Sequence, residues 1–194
     1  MAFERTIVLI VGIIAAMLAA AGIRVFNRFI AGRNACRNAR SGIDVQLTKR
    51  HDLVPNLVRA VAAYAEHERE ALRLVMDARG DAIAKLGAPA SAGAEARLGQ
   101  ALTALSVRLE AYPDLKATSN FLHLQKALTE VEEQLSAARR AFNAQVVVLN
   151  NLAEQFPTLI VARLAGFRPV DYYEASVDQR GALPEAADAI SSRV

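Results

Sequence analysis

The residues best able to do chemistry in this chain are its histidines and the acids and amides beside them. The densest group is Lys49-Arg50-His51-Asp52-Leu53-Val54-Pro55-Asn56-Leu57, which sets cations, an imidazole, a carboxylate, a proline and an amide close together. An imidazole next to a carboxylate can titrate near neutral pH and act as a switch or docking point. The plainer reading, and the favoured one, is a helix junction. Asp52 caps a new helix, His51 and Asn56 satisfy backbone groups, and Arg50 pairs locally. His67-Glu68 begins like a zinc-protease HExxH helix, but the second histidine position holds Ala71. A helical di-iron centre needs Glu three residues before His, twice, and Thr48, Tyr64 and Asn120 stand at those positions. The chain has no phosphate-cradling glycine loop, no GxSxG elbow and no GxGxxG. A hydrolase or metal enzyme would have to gather His51, Asp52, His67 and Glu68. Cys36, the single cysteine, lies among arginines that would lower its pKa if exposed, but a lone small thiol there reads as packing. We therefore expect no catalytic, cofactor-binding or metal-ligating residues, no cofactor, and no enzymatic activity.

The elements that must position these groups are helices. Aromatics make up 6% of the 194 residues, with no Trp and 10 Gly, which argues against an all-β design. The formal net charge of +3 is modest, and its basic excess gathers near the amino terminus, so it reads as membrane topology rather than nucleic-acid binding. There an apolar run from Ile7 to Ile23 is followed at once by Arg24, Arg28, Arg33, Arg37 and Arg40. Such a helical run reaches about 26 Å, slightly less than a hydrocarbon core of about 30 Å. Phe3 on one side and Val25, Phe26 and Phe29 on the other extend it, and Arg24 and Arg28 can snorkel to the headgroups. Ala19-Ala20-Ala21 resembles a signal-peptide cleavage site. However, only Arg5, offset by Glu4, precedes the run, and the arginines after it resist translocation, so a retained anchor is favoured. The positive-inside rule then places the amino terminus outside and the main domain in the cytoplasm, as a single-pass protein of the bacterial inner membrane. Arg33, Arg37, Arg40 and Asp44 share a helical stripe, with Arg40 and Asp44 in i,i+4 contact. A solvated face is the simpler account of that stripe. Contact of the collar Arg24, Arg28, Arg33 and Arg37 with anionic headgroups is the sharper one.

Beyond the anchor, Ile43, Leu47, Val54, Leu57, Val61, Tyr64, Glu68, Leu72 and Val75 follow steps of three and four, with one double step between Leu47 and Val54. Pro55 interrupts this run, and the preferred reading is a break near residues 50–53, with Pro55 in the first turn of a fresh helix. The alternative is one long helix kinked there. Gly80 to Gly93 reads as a loop. A shorter helix carries Leu98, Ala101, Leu105 and Tyr112 until Pro113 stops it. Phe121, Leu124, Leu128, Val131, Leu135, Ala138, Phe142, Gln145, Leu149, Leu152 and Phe156 then keep a 3.5-residue repeat, broken chemically only by Gln145. Residues 158–167 suit a last short turn, and the stretch from Ala175 reads as a disordered tail. The expected architecture is all-α. An N-terminal transmembrane helix (1–29) continues into a cytoplasmic up-and-down bundle of about four helices (30–174), followed by a tail (175–194).

The sequence also resembles a known family. Asp44-Val45-Gln46-Leu47 and Arg50 to Leu57 are similar to the signature of the LemA family of bacterial membrane proteins. The resemblance continues through Tyr64-Ala65-x-His67-Glu68, Ala78-Arg79 and Tyr112-Pro113-Asp114-Leu115-Lys116. Asn120-Phe121, Leu124-Gln125, Ala138-Arg139-Arg140-x-Phe142-Asn143, Phe156-Pro157 and Gly166-Phe167 complete it. It implies one amino-terminal transmembrane helix, a cytoplasmic helical bundle and no established enzymatic activity. The family usually has an aromatic residue just before its Ser-Asp-Ile-Asp-Val-like run, whereas this chain has Ala39-Arg40-Ser41-Gly42-Ile43-Asp44, so a partner that reads that aromatic is in doubt.

The function that fits these readings is a non-catalytic, membrane-anchored scaffold or adaptor. Its partners would be the bilayer and another membrane protein. Genes of the family often accompany membrane metalloproteases, so the resemblance suggests a link to envelope stress or to such a protease. Arg50, His51, Asp52, Pro55, Asn56, Tyr112, Pro113 and Asp114 are the candidate interaction residues. The alternative is self-assembly: Gly12, Ala15, Ala16, Ala19 and Ala20 permit close helix approach in lipid, so a homo-oligomer is a second reading.

Overall fold

The computed structural model describes residues 2–88 and 91–173, and every regular element among them is helical. Helix α1 spans Ala2–Ala62, α2 Arg69–Ala84, α3 Ser91–Arg108, α4 Pro113–Lys116, α5 Ser119–Glu154 and α6 Thr158–Leu164. One-turn 3₁₀ helices, Glu66–Glu68 and Leu109–Ala111, lead into α2 and out of α3. The all-α class expected from composition and periodicity is the one found. The tail expected from Ala175 onward lies outside the described residues.

The expected helix break near residues 50–53 does not occur. α1 runs uninterrupted for 61 residues with Pro55 inside it, and Asp52 sits in mid-helix rather than at a cap. An interior proline costs roughly 3 kcal/mol because it removes one backbone donor and crowds the preceding turn. Here the carbonyl it orphans, that of His51, receives the Arg79 Nε–H of α2 at 2.7 Å. The flanking Val54, Leu57 and Val61 are buried, so packing holds the helix through the proline. The helix ends at Ala62, and the chain turn that follows buries Ala65 and leaves Tyr64, expected on the core stripe, 52% exposed.

The Gly80–Gly93 loop is also shorter than its composition suggests. α2 continues through Gly80 to Ala84, and Gly93 lies in the first turn of α3. Burial of Ala82 against its neighbours outweighs the ~1 kcal/mol entropic cost of one helical glycine. The Lys85 N–H closes the end of α2 on the Asp81 and Ile83 carbonyls. Pro113 both stops the preceding turn and opens α4, where its missing N–H costs nothing.

On α5 the seam is occupied as expected from Phe121 through Val131 and Leu135 to Phe142, all buried. The next buried positions are Val146, Leu149 and Ala153, and Phe156 is 80% exposed. The seam therefore inserts an additional four-residue step after Phe142, because a straight helix drifts away from a strict 3.5-residue repeat.

The chain divides into two compact units. One combines the residues up to Gly42 with Ala138–Tyr172, and the other is built on Ile43–Ala137. In the first, Phe29 and Cys36 of α1 and Val146 and Leu149 of α5 are buried, and Gly32 lets the Leu149 side chain approach closely. The Asn150 carboxamide clamps the Val170 backbone, donating to its carbonyl at 3.0 Å and accepting its N–H at 2.8 Å. In the second, Val54, Leu57, Val61, Val75, Leu98, Leu105, Leu115 and Phe121 form one continuous core drawn from α1, α2, α3, α4 and α5.

Candidate functional site

The double step between Leu47 and Val54 is filled by charge. Arg50 and His51 point into the interior of the second unit, 5% and 2% exposed. Glu95 of α3, equally buried, meets both: Arg50 Nη1 donates to Oε2 at 3.3 Å, and His51 Nε2 lies 2.7 Å from Oε1. An ionised carboxylate only accepts, so the imidazole proton in this contact sits on Nε2. Arg50 Nε also lies 2.7 Å from Oε1 of Glu132 on α5, a half-exposed carboxylate. Gly99, one turn beyond Glu95, makes room for the guanidinium: a methyl group there would meet Arg50 Nη2 at 3.2 Å. Three helices are thus tied to one arginine. Directly beneath, Arg79 of α2 fills the carbonyl that Pro55 leaves open. Taking such ions out of water costs several kcal/mol each, returned only while every partner stays in place.

Arg50 and Glu132 also stand at the wall of a cavity of about 460 Å³, lined mainly by Leu57, Leu102, Leu105, Leu109, Phe121 and Leu128. The chemistry available here is that of a lock. His51 Nε2 is committed to Glu95 and the ring is sealed from solvent, so the imidazole is held away from any substrate in water.

The structure separates the other expected residues. Asp52 is exposed, Pro55 half-buried, and Asn56 exposed with its Oδ1 accepting from Arg59 at 2.5 Å. His51 pairs with Glu95 instead of the adjacent Asp52, and Arg50 pairs across 45 residues instead of locally. Asn56 stands on the wall of two surface grooves, one of about 380 Å³ with Lys49, Asp52 and Glu130, the other of about 490 Å³ with Arg59, Tyr64 and Asn120. Tyr112 is half-buried and its hydroxyl donates to Glu68 Oε1 at 3.4 Å, while Arg108 Nη1 donates to Glu68 Oε2 at 3.2 Å. Pro113 and Asp114 are exposed. The four residues a hydrolase would need are therefore divided: His51 goes to Glu95 and Glu68 to Arg108 and Tyr112. Among the described residues no group of three or more His, Cys, Asp or Glu is placed to hold a metal ion.

Glu95 and Glu132 were not singled out from the sequence. A signal for Glu95 exists: it lies on the stripe Ser91, Ala94, Leu98, Leu105 that α3 buries, where a carboxylate needs a cation. Glu132, half-exposed beside another acid on a polar helix face, carried no such mark.

In the first unit, Arg24, Arg28, Arg33 and Arg37 are all exposed on α1. Cys36 among them is 5% exposed, and burial pushes its thiol up, the reverse of the lowering expected for an exposed thiol in a basic stripe. Ahead of the collar, Val8, Leu9, Met17 and Leu18 are each about two-thirds exposed, and apolar side chains face outward on every side of the helix.

An all-helical chain whose leading helix is long and apolar enough to cross a membrane, none of that segment being buried against protein, defines the class. Within that class the chain belongs to the LemA family, whose model matches residues 39–186. It is 24% identical to the magnetosome protein MamQ of Magnetospirillum gryphiswaldense, over 76% of this chain and 64% of that protein. It is 23% identical to magnetosome proteins MamQ 1 and MamQ 2 of Paramagnetospirillum magneticum, over 77% of this chain and 64% of each. The chain thus spans less than two thirds of the length of these curated relatives.

Proposed function

We propose that this protein is a single-pass, membrane-anchored helical scaffold that works by binding rather than by catalysis. The observation that carries the reading is the leading segment of α1, apolar on all sides and wholly unburied. In water such a helix is unstable or aggregates; in a bilayer its exposure is what the solvent requires. Residues 1–29 form the anchor and residues 30–174 the bundle, held on the cytoplasmic side of the inner membrane by the arginines that follow the run. The buried Arg50–Glu95–His51 lock sets the bundle's shape. The exposed remainder of the motif, Asp52 and Asn56 on their grooves together with Pro113 and Asp114, is the surface offered to a membrane-protein partner.

The relatives are named for a structure, not for a reaction, and that favours scaffolding. The link to envelope stress and to a membrane metalloprotease rests on the family resemblance alone. Proximity labelling in intact membranes, with the label on the carboxyl end of the full chain, tests the proposal. A small, repeatable set of membrane proteins is expected, reduced several-fold by Asp52→Ala/Asn56→Ala. Labelling that returns only abundant bystanders, or the chain alone, would count against a scaffold for other proteins, the second outcome favouring self-assembly.

A further inference from the structure

The corner between α5 and α6 turns its bulk the wrong way for a surface facing water. Ala162 is the residue α6 buries, whereas Ile160 and Leu164, one turn apart on one side, are 51% and 86% exposed. Phe156, just before α6, is 80% exposed. Single exposed apolar residues are ordinary; three large ones gathered around a seven-residue helix are not.

The fold places this corner at a defined level. α6 ends in a Schellman motif, with Gly166 at φ +70, its N–H donating to the Arg163 carbonyl and the Phe167 N–H donating to the Ala162 carbonyl at 3.0 Å. That turn delivers the Phe167 ring to α1, stacked 4.6 Å from Phe29 and edge-on 5.9 Å from Phe26. Phe26 and Phe29 are the last apolar residues of the anchor run, so Leu164, three residues from Phe167, stands at its foot. The neighbouring stretch of α1 is basic. No acidic residue lies between Arg5 and Asp44, and at the corner the exposed Arg163 and Arg168 stand with two exposed acids, Glu154 and Asp171, so the basic excess comes from the collar.

We propose that this corner is a second membrane contact. Phe156, Ile160 and Leu164 insert into the headgroup–acyl boundary beside the anchor, and Arg163 and Arg168, with the collar, take anionic lipid phosphates. The argument is continuity with the apolar run and charge complementarity to an anionic leaflet, and it rests on the anchor reading above. The contact fixes the carboxyl end of α5 to the bilayer surface, so that the first unit meets lipid through two elements.

The full chain carrying Cys36→Ala, with Leu164→Cys, Leu18→Cys or Val107→Cys labelled by an environment-sensitive fluorophore, tests this in vesicles of phosphatidylethanolamine and phosphatidylglycerol. Leu18 lies in the run, and Val107 is an exposed position of the second unit. Lipids brominated on the acyl chain are expected to quench the labels at 18 and 164 and to spare the one at 107. Quenching at 18 without 164 overturns the corner and leaves the anchor standing. Quenching at neither overturns both. Quenching at all three overturns the corner as a specific contact. In pure phosphatidylcholine the signal at 164 is expected to fall several-fold while that at 18 persists; an unchanged signal at 164 overturns the role given to the arginines.

Discussion

Two stretches of α1 invert the usual rule of burial in opposite ways. Residues 7–23 expose nearly every large aliphatic side chain they have, whereas about seven turns further on the same helix buries an arginine and a histidine. Helix propensity does not distinguish them; the surroundings do. On the anchor reading proposed above, the first stretch faces a solvent with no hydrogen-bonding capacity, where apolar surface is free and a charge is costly. The second faces a protein interior, where a charge survives only against a fixed counter-charge, and Glu95 supplies it. The comparison teaches that exposure alone does not say whether a residue is misplaced. The partner must be named: for one stretch it is a carboxylate on α3, and for the other the proposed partner is lipid.

The comparison breaks most severely at Glu95. Glu95→Gln keeps the shape but puts an N–H₂ where Arg50 or His51 needs an acceptor, and strands a buried cation. A loss of about 3–5 kcal/mol in unfolding free energy is expected, toward the lower end because Glu132 still touches Arg50. Glu132→Gln, at a half-exposed site, is expected to cost about 1 kcal/mol or less. Chemical denaturation in detergent distinguishes the two, and equal losses would mean that Glu95 is not the central counter-ion. The reverse experiment is Ile14→Asp in the middle of the apolar run. It is expected to cost about 2.5–3.5 kcal/mol of membrane insertion, read by partition between membrane and soluble fractions, and to leave the denaturation midpoint of the bundle unchanged.

The next effect is smaller and tests how Pro55 is tolerated. Arg79→Met removes the donor to the His51 carbonyl and is expected to cost about 1–2 kcal/mol. In a Pro55→Ala background that carbonyl regains its backbone N–H partner, so the same substitution is expected to cost about 1 kcal/mol less. Additive losses would show that Arg79 and the proline are independent.

These residues also mark what the sequence made legible. Period and composition were enough for the helices, the apolar run and most of the core, because each depends on local spacing. The double step at Arg50 and His51 was visible as a gap, but its filling required Glu95, and the distance in sequence between them hides the pairing. The break expected at Pro55 is absent for the same reason: the compensating donor, Arg79, comes from another helix. Gly80 misled because a local cost was weighed without the burial of Ala82 that offsets it. The seam slipped after Phe142 because a heptad is an approximation to a straight helix. Of the candidate site, the residue types were legible and the inward or outward direction of each was not.

The smallest expected effect concerns the last turn of α2 and its contact with α3, where the ionic contacts are exposed rather than sealed. The Lys85 ammonium, 2.5 Å away, and the Arg97 guanidinium beside it hold the Asp81 carboxyl below its ordinary value of 3.8. A carboxyl whose folded value is depressed binds its proton more readily in the unfolded chain. Its stabilising contribution is therefore complete above the unfolded value and is lost as pH falls through the lower folded one. Wild type and Asp81→Asn should then differ in melting temperature at neutral pH and converge as the solution is acidified below 3.8 and through the lower folded value. Because the carboxylate is solvated, added salt should shrink the neutral-pH difference, whereas the Glu95→Gln loss, at a buried ion pair, should be nearly unchanged by the same salt. A salt-insensitive Asp81 effect, or a salt-sensitive Glu95 effect, would show that the sealed and open ion pairs of this unit do not differ as their burial says they should.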